Sequence, residues 1–397
     1  MTDSLGGPTA TPSPLLVAQR SAGAVGGPDE SPDSQVAWHF GDPLAEQRSA
    51  ERSAVVIDRS HRGIIEISGD ERLSWLHTIS SQFVSNLADR TSAENLSLDL
   101  NGRVEDHFVV TDIDELTFLD TERERLDPLL GFLQKMVFWA KAEPVLRDDL
   151  AILTLLGPDA VTGPIADLLE IPADAGIYQA GRFPEQRHDD EPSGFWRIMP
   201  PFGDPDSIGV RTMPRVDVMV PATQLTEWWQ RLTDAGAKPA GMWTYEALRV
   251  AAGFPRLGLD TDDRTIPHEV EWIGGPDEFG AVHLEKGCYR GQETVARVHN
   301  LGKPPRRLVL LQLDGSADSR PSTGDPVTAE GRAIGRVGTV IDHYEYGPIA
   351  LALIKRSVPA DTPLVAGGAD ATIDPTSLRA DDRIQAGRAA IEGLRSR

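Results

Sequence analysis

A proline pair, Pro304-Pro305, divides the chain into two textures, and that division limits what it can fold into. Beyond the pair the sequence reads as strand and turn only: residues 307–313, 325–327, 333–340 and 349–354 are short apolar runs parted by Gly and Pro. Runs of that spacing predict a small barrel or sandwich of roughly 70–75 residues. Before the pair, strands alternate with helices without a strict βα repeat, which argues for an α+β body rather than a doubly wound sheet. Residues 63–67, 151–156 and 281–284 read as strands. Residues 96–110, with Asn101-Gly102 near the centre, read as a hairpin, because Asn-Gly supplies the positive φ values a tight turn needs. Asp70 is placed to cap a helix carrying Leu73, Leu76 and Ile79. Asp127-Pro128 predicts a second helix start, with Leu129, Leu130, Leu133, Met136 and Val137 on the buried stripe. Residues 223–235 predict a third, ended by Gly236.

Residues 1–34 hold Pro8, Pro12, Pro14, Pro28 and Pro32 among Gly, Ala and Ser, so they read as a disordered tail that cannot repay the entropy of ordering. The α+β body then occupies 35–300, the β domain 301–375, and a polar tail 376–397, in which Ile384, Ala389, Ile391 and Leu394 fit one short helix. At 40% hydrophobic and 25% charged residues, the chain has the material for two or three cored domains. The 39 Lys and Arg against 61 Asp and Glu give a net charge of −22, which argues against a nucleic-acid or anionic-membrane binder. No apolar run approaches the ~20 residues that cross a bilayer, and the N-terminus has no basic, apolar leader. A single cysteine, Cys288, excludes an intrachain disulfide and any all-Cys cluster or zinc site built from this chain alone. The nine histidines are scattered, so no metal site is expected. A soluble, cytoplasmic protein is the expectation.

The most informative stretch is Lys286-Gly287-Cys288-Tyr289-Arg290-Gly291-Gln292-Glu293. A lone Cys is ordinarily a small buried residue. Here two glycines let the backbone turn tightly, residues 292–298 can start a helix, and Lys286 and Arg290 are the surroundings that favour thiolate. Residues 286–307 carry six Lys or Arg and one Glu, a local anion trap in an acidic chain. His283 is five residues before Cys288, within reach of a Cys–His pair. Trp228, Trp229, Trp243 and Trp272 read as core or pocket wall.

These eight residues resemble the K-G-C-Y-x-G-Q-E signature of the YgfZ family of folate-binding proteins, relatives of the glycine cleavage T protein, or aminomethyltransferase. Ordered matches at residues 52–60, 67–70, 75–78, 155–160, 245–255 and 266–269 extend the resemblance over most of 48–355. It implies an α+β, T-protein-like fold of several subdomains around tetrahydrofolate, two of them in 35–300, with the small C-terminal β-barrel beside them. Residues 101–106 stand where the T protein has G-G-x-x-D-D, so Glu105 or Asp106 is the folate-facing carboxylate, and Arg249, Arg290 and Gln292 are its expected companions. Cys288 and Lys286 are the expected reactive pair. Two departures separate the chain from glycine cleavage: Ala251 replaces the pterin-facing glutamate of L-R-L-E-A-G, and residues 213–220 lack the Y-T-G-E-x-G pattern. A methyl group cannot accept the pterin's N–H donors. The resemblance implies an accessory protein that binds tetrahydrofolate and supports assembly or repair of iron-sulfur enzymes, with those enzymes or cluster-assembly proteins as partners. The alternative it leaves open is a folate-dependent one-carbon transferase on an unknown substrate.

Overall fold

The computed structural model describes residues 11–183, 194–203, 212–316 and 320–378. The C-terminal helix expected within 376–397 lies outside them. The chain divides into two compact units, one of Met1–Ile64, Arg147–Pro201 and Arg211–Tyr245, the other of Ile65–Leu146, Phe202–Val210 and Glu246–Arg397.

The first unit is built on a six-stranded sheet in the order Ala180–Gly181, Phe195–Phe202, Met213–Pro221, Leu150–Leu156, Val55–Asp58 and Lys238–Ala240. Every residue of Leu150–Leu156 and Val55–Asp58 is buried, as expected of central strands covered on both faces. Helix Leu225–Asp234 buries Leu225, Trp228, Trp229 and Leu232 and stops before Gly236, whose φ of 109° suits only glycine. The segment expected to be a disordered tail is ordered where it is described. Ser13 caps a short helix, Pro14–Gln19, whose Leu15 and Leu16 are buried, and its Oγ donates to Asp58 at 2.6 Å. Adjacent leucines and one buried hydrogen bond supply what the Pro and Ser composition concealed.

The second unit holds a five-stranded sheet in the order Thr91–Leu98, Val104–Ile113, Leu116–Thr121, Gly63–Ser68 and Glu143–Leu146. The expected hairpin is the pairing of Thr91–Leu98 with Val104–Ile113, and it carries a bulge at Ser97/Leu98. Helix Arg72–Ile79 follows the expected pattern but begins after Glu71 rather than at Asp70. Helix Arg123–Met136 begins four residues before the expected Asp127 cap and holds Pro128 inside. Its register is set by burial of Leu126, Leu129 and Leu133, and the exposed Pro128 ring does not meet the core. Residues 281–284 form no strand, only isolated bridges from Val282 to Ile273 and Gly274. After Pro304-Pro305 six strands close into a barrel running from Arg306–Leu313 to Ala369–Ile373, around Val309, Leu311, Val337, Ala350, Ala352 and Ile354. Closure removes the exposed edges that short strands would otherwise present.

Candidate functional site

The cysteine loop, the hairpin and the end of helix Arg72–Ile79 all belong to the second unit. Cys288 is exposed at the crest of the loop. Its neighbours face inward: Tyr289 is 5% exposed and packs with Leu96, Val104, Trp272 and Val295, and burial pushes its pKa up to about 12. Helix Gln292–Leu301 begins where expected, after Gly291 at φ 82°. A Cβ at Gly291 would lie 2.5 Å from the Asp99 carbonyl, and one at Gly102 would lie 2.9 Å from the Thr294 Cβ. Loop and hairpin therefore interlock through two positions that only glycine fits. Gly287 is under no such constraint.

Lys286 does not stand beside the thiol as a free cation. It is 3% exposed, and its Nζ donates to the carbonyls of His77 at 2.5 Å, Ser80 at 2.6 Å and Gln82 at 3.1 Å. Those three acceptors use all three ammonium protons, and two of them close the C-terminal end of helix Arg72–Ile79, where the dipole favours a positive charge. Burial pulls its pKa down to about 8. The same burial, with Lys286 and His283 nearby, lowers the pKa of His77. Lys286 thus pins the loop, and Gln292 adds a bond from Nε2 to the Lys286 carbonyl at 3.3 Å.

Arg290, the other expected cation, pairs with Glu105 at 2.8 Å, each about one-third exposed, and its guanidinium is 6.0 Å from the Phe132 ring. Alternation along the strand sends Asp106 to the opposite face. There it is 3% exposed, pairs with Arg125 at 2.8 Å, and has its pKa raised by desolvation against the pull of that arginine. The two hairpin carboxylates are therefore unlike: Glu105 joins the cysteine loop, Asp106 the helix behind it.

Arg249 is not presented at a surface. Its five N–H donors go to both Glu246 oxygens, to Asp260 at 2.7 Å, to Thr339 at 2.5 Å and to the Phe254 carbonyl at 2.9 Å, inside a core that excludes water. A guanidinium with every donor engaged holds structure together and has none left for a ligand. Ala251 ends the same helix, Met242–Ala251. The expected anion trap is also largely closed, since Arg306 pairs with Asp262 at 2.6 Å and Glu269 at 2.7 Å and Arg307 donates to the Val358 carbonyl. His283 turns to Phe83 and to the Glu285 amide instead of the thiol. Trp228 and Trp229 are core, and Trp272 stacks on His107 at 4.7 Å, which in turn meets Glu94 at 2.9 Å.

A buried polar knot under the loop was not anticipated. Asn95 Oδ1 accepts from the amides of Ser81, Gln82 and Leu96, while Ser81 Oγ donates to the Ala281 carbonyl at 2.7 Å and Gln82 Nε2 to the Gly280 carbonyl at 2.7 Å. The readable signal was a Ser-Ser-Gln run directly after an apolar helix.

An α+β body whose Asn-Gly hairpin grips a Gly-bounded cysteine loop, joined to a closed barrel, defines an aminomethyltransferase-like architecture. The crystal structure of glycine cleavage system aminomethyltransferase T from Bartonella henselae shares it, with a TM-score of 0.74 over 90% of this chain and 94% of that one at 19% identity. Residues 306–379 match the CAF17 C-terminal beta-barrel domain. The chain is 27% identical over 298 residues to the aminomethyltransferase of Methylococcus capsulatus, covering 67% of this chain and 76% of that protein. It is 24% identical over 333 residues to that of Stenotrophomonas maltophilia strain K279a, covering 81% and 86%. Among the described residues no helix is long and apolar enough to cross a membrane, and no cluster of three or more His, Cys, Asp or Glu could hold a metal ion.

Proposed function

We propose that this protein is a tetrahydrofolate-binding accessory protein of the YgfZ type, acting in the assembly or repair of iron-sulfur enzymes through an exposed thiol, Cys288. The carrying observation is the loop itself: a thiol held outward while the residues on both sides are locked, Lys286 on three carbonyls and Gly291 against the hairpin. Such preorganisation has no value for an inert packing cysteine. Support also comes from the loop's resemblance to the YgfZ signature, the CAF17-type barrel and the aminomethyltransferase relatives. The acceptor set fits a folate, because a pterin offers N–H donors that a carboxylate accepts, and the hairpin supplies Glu105 in partial exposure and, on its other face, Asp106 in a desolvated setting. Glu105 with Arg290 and Gln292 would hold it from the cysteine-loop face, or Asp106 from the opposite face beside Arg125; Arg249 would act only as support. Tetrahydrofolate, when bound, supplies a carrier for a one-carbon unit.

Replacing Cys288 with Ser tests this reading. Tetrahydrofolate binding should persist while the activity of iron-sulfur enzymes falls in cells that depend on the variant, and full activity would refute the accessory role. The relatives' name, aminomethyltransferase, favours a second reading, a one-carbon transferase, and Ala251 in place of the pterin-facing glutamate turns it to an acceptor other than that of glycine cleavage. Detection of a methylated or formylated acceptor would establish it.

A further inference from the structure

In the second unit the single helical turn Pro267–Glu269 packs against helix Gln292–Leu301, and each brings one histidine to the contact. The rings of His268 and His299 lie 6.2 Å apart, centroid to centroid, and are tilted by 39°. Both ring nitrogens of His268 are buried, and neither has a hydrogen-bond partner among the described residues. A neutral imidazole carries one N–H donor and one acceptor, so both of its polar functions go unanswered here. Such burial costs free energy that an apolar side chain in the same place would not, and it calls for a missing partner such as an ion. The frame around the pair is fixed. The Glu269 carboxylate accepts from the Ile266 amide at 3.2 Å and from Arg306 at 2.7 Å, and the Pro267 carbonyl accepts from the Trp272 amide at 3.1 Å. At the far end of the helix the Gly302 amide donates to the Val298 carbonyl at 3.2 Å.

We infer that His268 and His299 are the protein ligands of a divalent late transition-metal ion, with zinc as the representative of that class. The separation suits it. An imidazole nitrogen bound at roughly 2.0–2.1 Å sets its ring centroid about 3.2 Å from the metal, so two rings stand about 5.2 Å apart at a tetrahedral angle and about 6.3 Å apart in line. A small side-chain rotation therefore seats the ion between them. Imidazole selects the class, because magnesium and calcium take oxygen ligands. Local charge agrees. Among ionisable groups only His299 acts on the charge of His268, and burial together with that neighbour holds the His268 pKa down to about 4, so near pH 7 the ring is neutral with a lone pair to offer. Arg306, Asp262 and Glu269 form an ion-paired trio with one net negative charge, and Arg297 stands two positions from His299, a spacing that faces away on a helix. Two protein ligands leave positions open to water, so the ion is held less tightly than in a four-ligand structural site. Once bound, it ties Pro267–Glu269 to the helix that leaves the cysteine loop.

Calorimetric titration of the untagged full chain with zinc ion alone tests the inference. One ion per chain should bind saturably, H268L and H299A should each weaken it roughly tenfold or more, and magnesium ion should give no saturable heat. H268L carries a second signature. It removes two unanswered polar atoms, so without metal it should melt at or above the parent, and zinc should raise the melting temperature of the parent but not of H268L. No saturable zinc binding by the parent, or H299A binding as the parent does, would overturn the inference. So would loss of zinc binding in C288S or H283A, which would put the ion at the cysteine loop. The site shares no side chain with the residues proposed to hold folate, so tetrahydrofolate binding by H299A separates failure here from failure of that reading.

Discussion

Two groups of charged residues in the second unit look alike in sequence and behave oppositely in the structure. Around Arg249, the side chains of Glu246, Arg256, Asp260 and Thr339 close on one another, all 7% exposed or less, so opposite charges satisfy each other away from water. Around Cys288, Lys286 is satisfied by main-chain carbonyls and Arg290 by a partly exposed carboxylate, and the thiol is left in solvent. Charge sealed by charge is architecture. Charge used to fix a backbone leaves the neighbouring side chain exposed.

Arg249→Met should break the first group with the largest effect, about 3–5 kcal/mol of stability by denaturant unfolding, because Asp260 would stay buried without its ion-pair partner and Glu246 would keep only Arg256. Lys286→Met should cost less, about 1–3 kcal/mol, since it orphans carbonyls and no charge. Its sharper signature is local: faster hydrogen exchange across residues 281–291, with the barrel unchanged. At the outer edge of the first group, Arg306 holds the Asp262 carboxyl down to about 2. A depressed folded pKa gives stability that is complete above the unfolded value near 4 and lost as pH falls through 2. Acid unfolding between those limits should therefore be shallower in Asp262→Asn than in the parent. The smallest effect belongs to Arg290→Gln, about 0.2–1 kcal/mol and diminished by salt, because the pair with Glu105 is partly exposed. A cycle with Glu105→Gln measures it.

The strands were largely legible, because Gly, Pro and Asn-Gly punctuate them and because buried central strands read as continuous apolar runs. Helix Arg123–Met136 was misread at its start, since Asp127-Pro128 is a favourable cap in isolation, whereas contacts of Leu126 and the reach of Arg125 to Asp106 set the true register. At the site, the loop and the hairpin were found from their residues, but their partners were not. Local spacing places Lys286 two residues from a thiol; only the tertiary fold brings the carbonyls of His77, Ser80 and Gln82 to its ammonium. The same limit left Asn95 unremarked, and Arg249, expected at the folate from the resemblance, has its donors engaged by buried partners, because whether a polar group faces water or a buried partner is decided by chain segments far away in sequence.

Calorimetric titration of the purified protein with tetrahydrofolate tests the central claim most directly. The account predicts saturable binding that weakens when Glu105 or Asp106 is neutralised and persists in Cys288→Ser. Absence of saturable heat in the parent protein, with the fold intact by circular dichroism, would contradict it.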